Sequence, residues 1–383
     1  MWHRNRLSDS FGLQVPIVQG PFGGGHSSVA LAAAVSNGGG LGSFGAVNLS
    51  PEEIRATIGE LTQRTSRPFS INLWVPIPGQ EKLHLPDSAF ERLVQHLRPV
   101  FTELGLAVPG AEDAVAHRFE DQVEALLEAR PPVFSFVMGI PDPAILDAAR
   151  SRGIRTIGTA TTVEEAVAQA EAGVDAVVAS GSDAGGHRSS FLRPAEDSLV
   201  GTLALVPQVA SAVGIPVIAA GGIVDGRGIA AALALGAEGA QLGTAFLATP
   251  ESNAPPVHRA LLGTHQARST ALTRVFSGRL ARGIVNPLMT TLEAHLEDVL
   301  PYPAQNALTL PLRRAAAKAG RADYLALWAG QGAALARSIP AAELLRLLAE
   351  ETDRVLGQER LRPRPASVAS TLATVSSTRS DRG

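Results

Sequence analysis

The chain has 383 residues, no cysteine, 45% hydrophobic residues, 18% charged residues and a formal net charge of −3. The lack of cysteine excludes disulfides, thiolate metal centres and cysteine nucleophiles, and the charge balance argues against a nucleic-acid-binding protein, which carries a basic stripe. The opening MWHRNRLSDS lacks the apolar core of a signal peptide, and no apolar run reaches the roughly 18 residues that span a bilayer. A cytoplasmic globular protein is expected, with no nucleic-acid or membrane partner.

Eight short β-branched runs follow in order, each bounded by glycine or proline. They are Val15–Val18, Gly40–Phe44, Ser70–Leu73, Val133–Val137, Arg155–Gly158, Ala176–Ala179, Val217–Ala220 and Gly239–Leu242. Most lack period-2 alternation, which suits strands buried on both faces of a parallel sheet. Helical spacing fills the gaps. Ser50 stands as N-cap before Pro51-Glu52-Glu53, Thr162 caps a segment that stops at Gly173, and Asp225–Leu235 ends at Gly236. Arg155–Ala179 reads strand, helix, strand, and Gly214–Leu242 does so again, as right-handed βαβ crossovers require. Eight units predict an α/β fold, a (β/α)8 TIM barrel, over residues 1–250. Gly40-Leu41-Gly42-Ser43-Phe44-Gly45 matches GxGxxG, but it overlaps a strand instead of following one. A doubly wound dinucleotide fold is therefore the weaker alternative.

Two stretches break the rhythm. Ile77–Arg130, with helical pieces rich in His, Arg and Glu, is expected to wrap the outside of the barrel. After the eighth strand, residues 251–321 are expected to form a small helical domain or lid over the mouth, and residues 322–357 a helical set that closes on the barrel. Residues 358–383 lack any period and read as a disordered tail.

Barrel chemistry sits where strands end. The first run ends in Gln19-Gly20-Pro21-Phe22-Gly23-Gly24-Gly25, a loop of close approach. The third carries Asn72, whose amide has both donor and acceptor groups and needs a partner if buried. The last two runs end in Ala219-Ala220-Gly221-Gly222-Ile223 and Gln241-Leu242-Gly243-Thr244. Glycine lets backbone N–H groups approach an anion closely. A helix N-terminus adds about half a positive charge, and Thr244 adds a hydroxyl. Either loop alone reads equally well as a tight turn. Two on successive units, about 20 residues apart, point to a phosphate site. No GxxxxGK[ST] string is present, so this is not a P-loop.

The densest polar cluster, Ser180-Gly181-Ser182-Asp183-Ala184-Gly185-Gly186-His187-Arg188, follows the sixth run directly. His187, beside the double glycine, is the candidate general base, its ordinary pKa being near 6.5. Asp183 is expected to orient the loop, and Arg188 reads as an anion contact or a solvated charge. Of the other histidines, His26 falls near the mouth. His84, His96 and His117 read as surface residues, and His258, His265 and His295 fall in the small domain. No HExxH or paired His/Asp spacing suggests a metal, and none is expected.

Taken together, PIVQGPFGGG (16–25), INL (71–73), SGSDAGGHR (180–188), IPVIAAGGI (215–223), QLGTAFLATPES (241–252), RGIVNP (282–287) and LWAGQG (327–332) resemble the nitronate monooxygenase family. The resemblance spans the chain to about residue 350. It implies an FMN-dependent barrel that oxidises alkyl nitronates or nitroalkanes with O2 to a carbonyl compound and nitrite. His187 matches the family's catalytic histidine. Flavin contacts carry over to Asn72, Ser180, Gly185, Gly222 and Gln241 through Thr244. Gln19, Gly20, Pro21, Gly186 and Gly221 complete the expected cofactor shell. The chain departs from the family pattern with Ser180 for Gln, Asp183 for Glu and Ser189 for Gly. Its fourth strand, Phe134-Ser135-Phe136-Val137-Met138-Gly139, lacks a His often present in relatives. Tyr302 and Trp328 are further candidates to line the site, and a homodimer is the assembly held open. Two rivals stand beside this reading: an FMN-dependent NAD(P)H:quinone or enoyl-acyl-carrier reductase, and a flavin-free barrel lyase or isomerase that grips a phosphorylated substrate.

Overall fold

The computed structural model describes residues 2–77, 87–108 and 117–357. The expected tail at 358–383 lies outside the described residues, as do parts of the Ile77–Arg130 stretch. Six barrel strands come first: β1 (Ile17–Gln19), β2 (Gly42–Gly45), β3 (Phe69–Trp74), β4 (Val133–Val137), β5 (Arg155–Ala160) and β6 (Ala176–Ser180). A two-residue strand, β7 (Gly186–His187), interrupts them. The barrel resumes with β8 (Val217–Ala220) and β9 (Gly239–Leu242), and β10 (Thr270–Thr273) and β11 (Ala281–Ile284) follow. Eight parallel strands run in the order β1-β9-β8-β6-β5-β4-β3-β2. A parallel bridge from Val18 to Leu41 closes the ring. This is the expected (β/α)8 barrel, and all eight sequence-predicted runs appear in it, displaced at their ends by no more than two residues. The β8 residues are all buried, as a strand covered on both faces requires.

The helices start where their caps stand. Ser50 and Glu53 form a reciprocal capping box on the helix Pro51–Arg64, Thr162 accepts from the Glu165 N–H, and Asp225 accepts from the Arg227 and Gly228 N–H groups. The GxGxxG string serves packing. A Cβ on Gly42 would lie 1.9 Å from the Ala32 carbonyl oxygen, so glycine lets the helix Val29–Asn37 sit directly on β2.

A second core stands over the mouth. Leu93, Leu97 and Phe101 from the helix Asp87–Glu103 pack with Val275, Phe276, Leu288, Leu292, Leu300 and Leu312. This corrects one expectation, because that helix joins the lid core instead of wrapping the barrel. The helix Phe119–Ala129 does lie on the barrel, where Val123 and Leu126 pack with Ile54, Ile58 and Leu61. The region after β9 also carries strand structure: β10 and β11 pair antiparallel, and β11 pairs with β7. The helix Ala341–Leu356 packs Leu344, Leu345 and Leu348 into the barrel's main core.

Candidate active site

Register places the site. Ser180 pairs with Ala220, Ala220 with Gln241, and Gln241 with Val18. The loops after β6, β8, β9 and β1 therefore leave one end of the barrel side by side. Gly20 donates its N–H to the Leu242 carbonyl at 2.9 Å and backs onto Gly243. Pro21 follows it, half-buried.

Gly221 and Gly222 hold φ angles of 120° and 68°, a conformation that side chains with a Cβ rarely adopt. A Cβ on Gly221 would also strike the Thr202 hydroxyl. Among the described residues, the N–H groups of Gly221, Gly222 and Gly243 donate to no backbone carbonyl. Thr244 opens the short helix Thr244–Leu247, so its N–H has no partner within that helix. Four unsatisfied donors thus stand on two neighbouring turns, in the pattern that suits an anion. The Thr244 Oγ1 accepts from the Gly330 N–H at 2.9 Å. Leu242 turns its side chain into the core.

Two expected contacts are already engaged. The Gln19 amide is fully buried; its Oε1 accepts from the Ser43 N–H at 2.9 Å and its Nε2 donates to the Gly20 carbonyl. The Asn72 Nδ2 donates to the Ser135 hydroxyl at 3.1 Å. Ser135 lies one strand away in register with Asn72 and also accepts from Ser70 at 2.9 Å.

The β6 loop is fastened from three sides. The Asp183 carboxylate accepts from the Thr202 N–H at 2.7 Å, which orients the loop. Gly185 is pressed against Ala329 and Gly330, where a Cβ would lie 2.5 Å from backbone. Arg188 is 1% exposed, and its guanidinium donates to the carbonyls of Gly181 (2.5 Å), Ser180 (2.9 Å) and Ser198 (3.4 Å). This corrects the expectation of an anion contact or solvated charge: Arg188 is a buried tie across its own loop. Burial lowers its pKa to about 10 against the opposing pull of Glu165 and Asp183. Glu165, read from sequence only as a helix first-turn acid, is also fully buried. Its carboxylate accepts from the N–H groups of Thr161, Phe191 and Leu192.

His187 lies on β7, opposite Ala281 of β11, so the lid's own sheet sets its position. Its Nε2 is 2.8 Å from the Ser277 hydroxyl. The imidazole stands between Trp74, edge-on at 5.1 Å between centroids, and Trp328 at 5.4 Å. Burial first, then the positive charges of Arg279 and Arg313, lower the His187 pKa to about 3. Tyr302, 6.3 Å from Trp74, has its hydroxyl pKa raised by burial, against the pull of Arg279. Sequence reasoning flagged Tyr302 and Trp328 but missed Trp74, Ser277, Arg279 and Arg313. Trp74 carried a signal, because it directly follows the INL strand and so falls at a strand's C-terminal end. The other three carry none, since the lid delivers them. The remaining histidines scatter. His258 is buried and His265 exposed, His26 stands 6.0 Å from His258, and His295 lies elsewhere in the lid.

A closed parallel barrel with a half-buried imidazole and free backbone donors at its C-terminal mouth places the chain among the (β/α)8-barrel enzymes. The family described as nitronate monooxygenase matches residues 4–351. The chain belongs to that family and is an oxidoreductase. A probable nitronate monooxygenase of Staphylococcus aureus strain JH9 is 38% identical over 357 residues, which cover 93% of this chain and 99% of the relative. The crystal structure of nitroalkane oxidase from Streptomyces ansochromogenes superposes with a TM-score of 0.85 at 41% identity, covering 92% and 99% of the two chains. FabK from Thermotoga maritima superposes at 0.73 with 30% identity, covering 93% and 98%. Among the described residues, no helix is long and apolar enough to cross a membrane.

Proposed function

We propose that this chain oxidises small alkyl nitronates with O2 to a carbonyl compound and nitrite, and that its cofactor is FMN. The observation that carries the reading is the pairing of two features at one barrel end. Four unsatisfied N–H donors lie on adjacent glycine turns, and beside them an aromatic-walled imidazole is flanked by two arginines. The donor set fits a phosphate that carries no protein counter-cation, because no Lys or Arg lies in either turn. The amides of Gly221, Gly222, Gly243 and Thr244 would hold that phosphate. Gln19, Gly20, Pro21, Asn72, Ser180, Gly185, Gly186, Gln241 and Leu242 would line the rest of the cofactor. Bound there, FMN supplies the electron acceptor and the reactivity toward O2, neither of which a side chain of this site provides.

His187 works as a neutral imidazole. A pKa near 3 leaves it uncharged at neutral pH, so it meets the already deprotonated nitronate as a neutral hydrogen-bond partner and acts as a proton acceptor only toward a nitroalkane. The Ser277 hydroxyl fixes one ring nitrogen and leaves Nδ1 for the substrate. Arg279 and Arg313 give the cavity a positive potential that favours the anionic nitronate over the neutral nitroalkane. Trp74 and Trp328 exclude water around the ring, which strengthens both effects.

The test is a visible spectrum of the purified protein, then nitrite release from ethyl nitronate and propyl-2-nitronate with and without NADH. His187→Asn is expected to stay yellow and lose about 10²–10⁴-fold in activity. Full activity in that variant would remove His187 from the chemistry. The likeness to FabK favours a second reading, NAD(P)H-dependent reduction on the same scaffold. Rapid anaerobic bleaching of the flavin by NADH or NADPH, with no nitrite formed, would select it.

A further inference from the structure

The lid brings together three ligand-bearing side chains that the proposed chemistry does not use. His96 stands on the helix Asp87–Glu103, and His295 and Asp298 lie just beyond the helix Pro287–Glu293. One potential ligand atom from each lies within 4.8 Å of the others, and each residue is half-buried. The His96 Nε2 is 3.0 Å from Asp298 Oδ2. The His96 and His295 rings stack with centroids 4.0 Å apart and planes 18° from parallel. Such a stack engages ring faces and satisfies no ring nitrogen. Arg92 donates to the other Asp298 oxygen, Oδ1, at 2.7 Å. That bond keeps the carboxylate ionised and leaves Oδ2 turned toward the imidazoles.

We propose that His96, His295 and Asp298 bind a divalent transition-metal ion of the Zn2+ type, which clamps the helix Asp87–Glu103 to the turn leading into Tyr302. Two imidazole nitrogens and one carboxylate oxygen are a donor set such ions accept, and water reaching a half-buried site completes a tetrahedron. Ligand atoms around tetrahedral zinc stand about 3.3 Å apart for bonds of about 2.0–2.1 Å. Closing the present spread to that requires the two stacked rings to splay. The guanidinium of Arg92 repels the ion and holds the affinity below that of a closed structural zinc site. The expectation of no metal rested on local spacing. His96 and Asp298 are 202 residues apart in the chain, so no local spacing joins His96 to the His295–Asp298 pair.

The test is calorimetric titration of the tag-free, flavin-loaded protein with ZnCl2 alone. One saturable site is expected, with a thermal midpoint that climbs as Zn2+ is raised. His96→Ala and His295→Ala should each weaken binding at least about tenfold and reduce the climb in midpoint at a given Zn2+ concentration. The exposed His265→Ala should leave both unchanged. Flavin content and circular dichroism report whether each variant folds, and His96→Gln or His295→Gln replaces the corresponding alanine variant where it does not. Absence of saturable binding to the parent overturns the proposal. So does equal affinity in the His96 and His295 variants, or an equal loss in His265→Ala.

Discussion

The His187 imidazole and the Ser277 hydroxyl, 90 residues apart in the chain, meet at 2.8 Å. Ser277 is 1% exposed and sits between the lid core residue Phe276 and the turn at Gly278, so its hydroxyl is held in place. In the proposed chemistry that bond chooses which ring nitrogen faces substrate. Ser277→Ala should lower kcat/KM by about tenfold, the value of one positioning hydrogen bond of about 1–1.5 kcal/mol. Flavin content should not change, and Ser277→Thr should restore part of the rate. Steady-state kinetics on a nitronate checks this, and an unaltered rate in the alanine variant would deny the bond its role.

The phosphate assignment separates charge from bulk at Gly243. Its φ is −91°, and a Cβ there would meet only the Phe22 ring at 3.9 Å. Gly243→Ala should therefore retain FMN. Gly243→Asp places a carboxylate beside the donors and should lose it. Flavin occupancy of the two purified variants, read from the visible spectrum, decides the matter. Equal occupancy in both would contradict the assignment.

Arg188 should matter for stability well beyond its single charge. Removing it takes a charged donor from the carbonyls of Ser180, Gly181 and Ser198, and Gly181 keeps only its bond from the Ala184 N–H. Arg188→Ala is expected to cost about 3 kcal/mol or more in urea unfolding, as two or more buried acceptors lose charged donors. Arg188→Lys should recover little, because an ammonium cannot reach the same acceptors as a planar fork. A loss of under about 0.5 kcal/mol, typical of a surface site, would show that these contacts are dispensable.

Acid should destabilise this fold earlier than its carboxylates alone would dictate. Burial lowers the pKa of His258 and His187 to about 3 and of His26 to about 4. The unfolded chain then binds more protons than the folded one between about pH 6.5 and the folded values. Stability from these groups is complete above pH 6.5 and falls as pH drops through that window. The slope is up to about 1.4 kcal/mol per pH unit for a fully buried group. His258, 1% exposed, should show it most clearly. Thermal midpoints of the parent and His258→Gln between pH 7.5 and 4.5 should converge as pH falls, and parallel curves would refute the assignment.

The barrel was legible because its determinants are local. A buried parallel strand needs a short β-branched run, and a helix needs its cap and its stop. The runs from Val15 to Leu242 and the caps Ser50, Thr162 and Asp225 supply them without reference to anything distant. The glycines at 221, 222 and 243 were legible for the same reason, since a strand end followed by glycine in a barrel can only face the mouth. What lay beyond reading was the company His187 keeps.

By itself, the sequence determined an eight-unit parallel barrel and pointed to the loops after β6, β8 and β9, with His187 among them, as the site now proposed for its chemistry. Tertiary structure alone decided that Arg188 is a buried tie, that Asp87–Glu103 joins the second core, and that Ser277, Trp74 and Trp328 contact the imidazole while the charges of Arg279 and Arg313 lower its pKa. The reason is physical. Strand, cap and turn preferences act over a few residues and leave a periodic trace. Burial, and the pKa shifts and pairings that come with it, depends on segments one or two hundred residues apart that only the folded chain brings into contact.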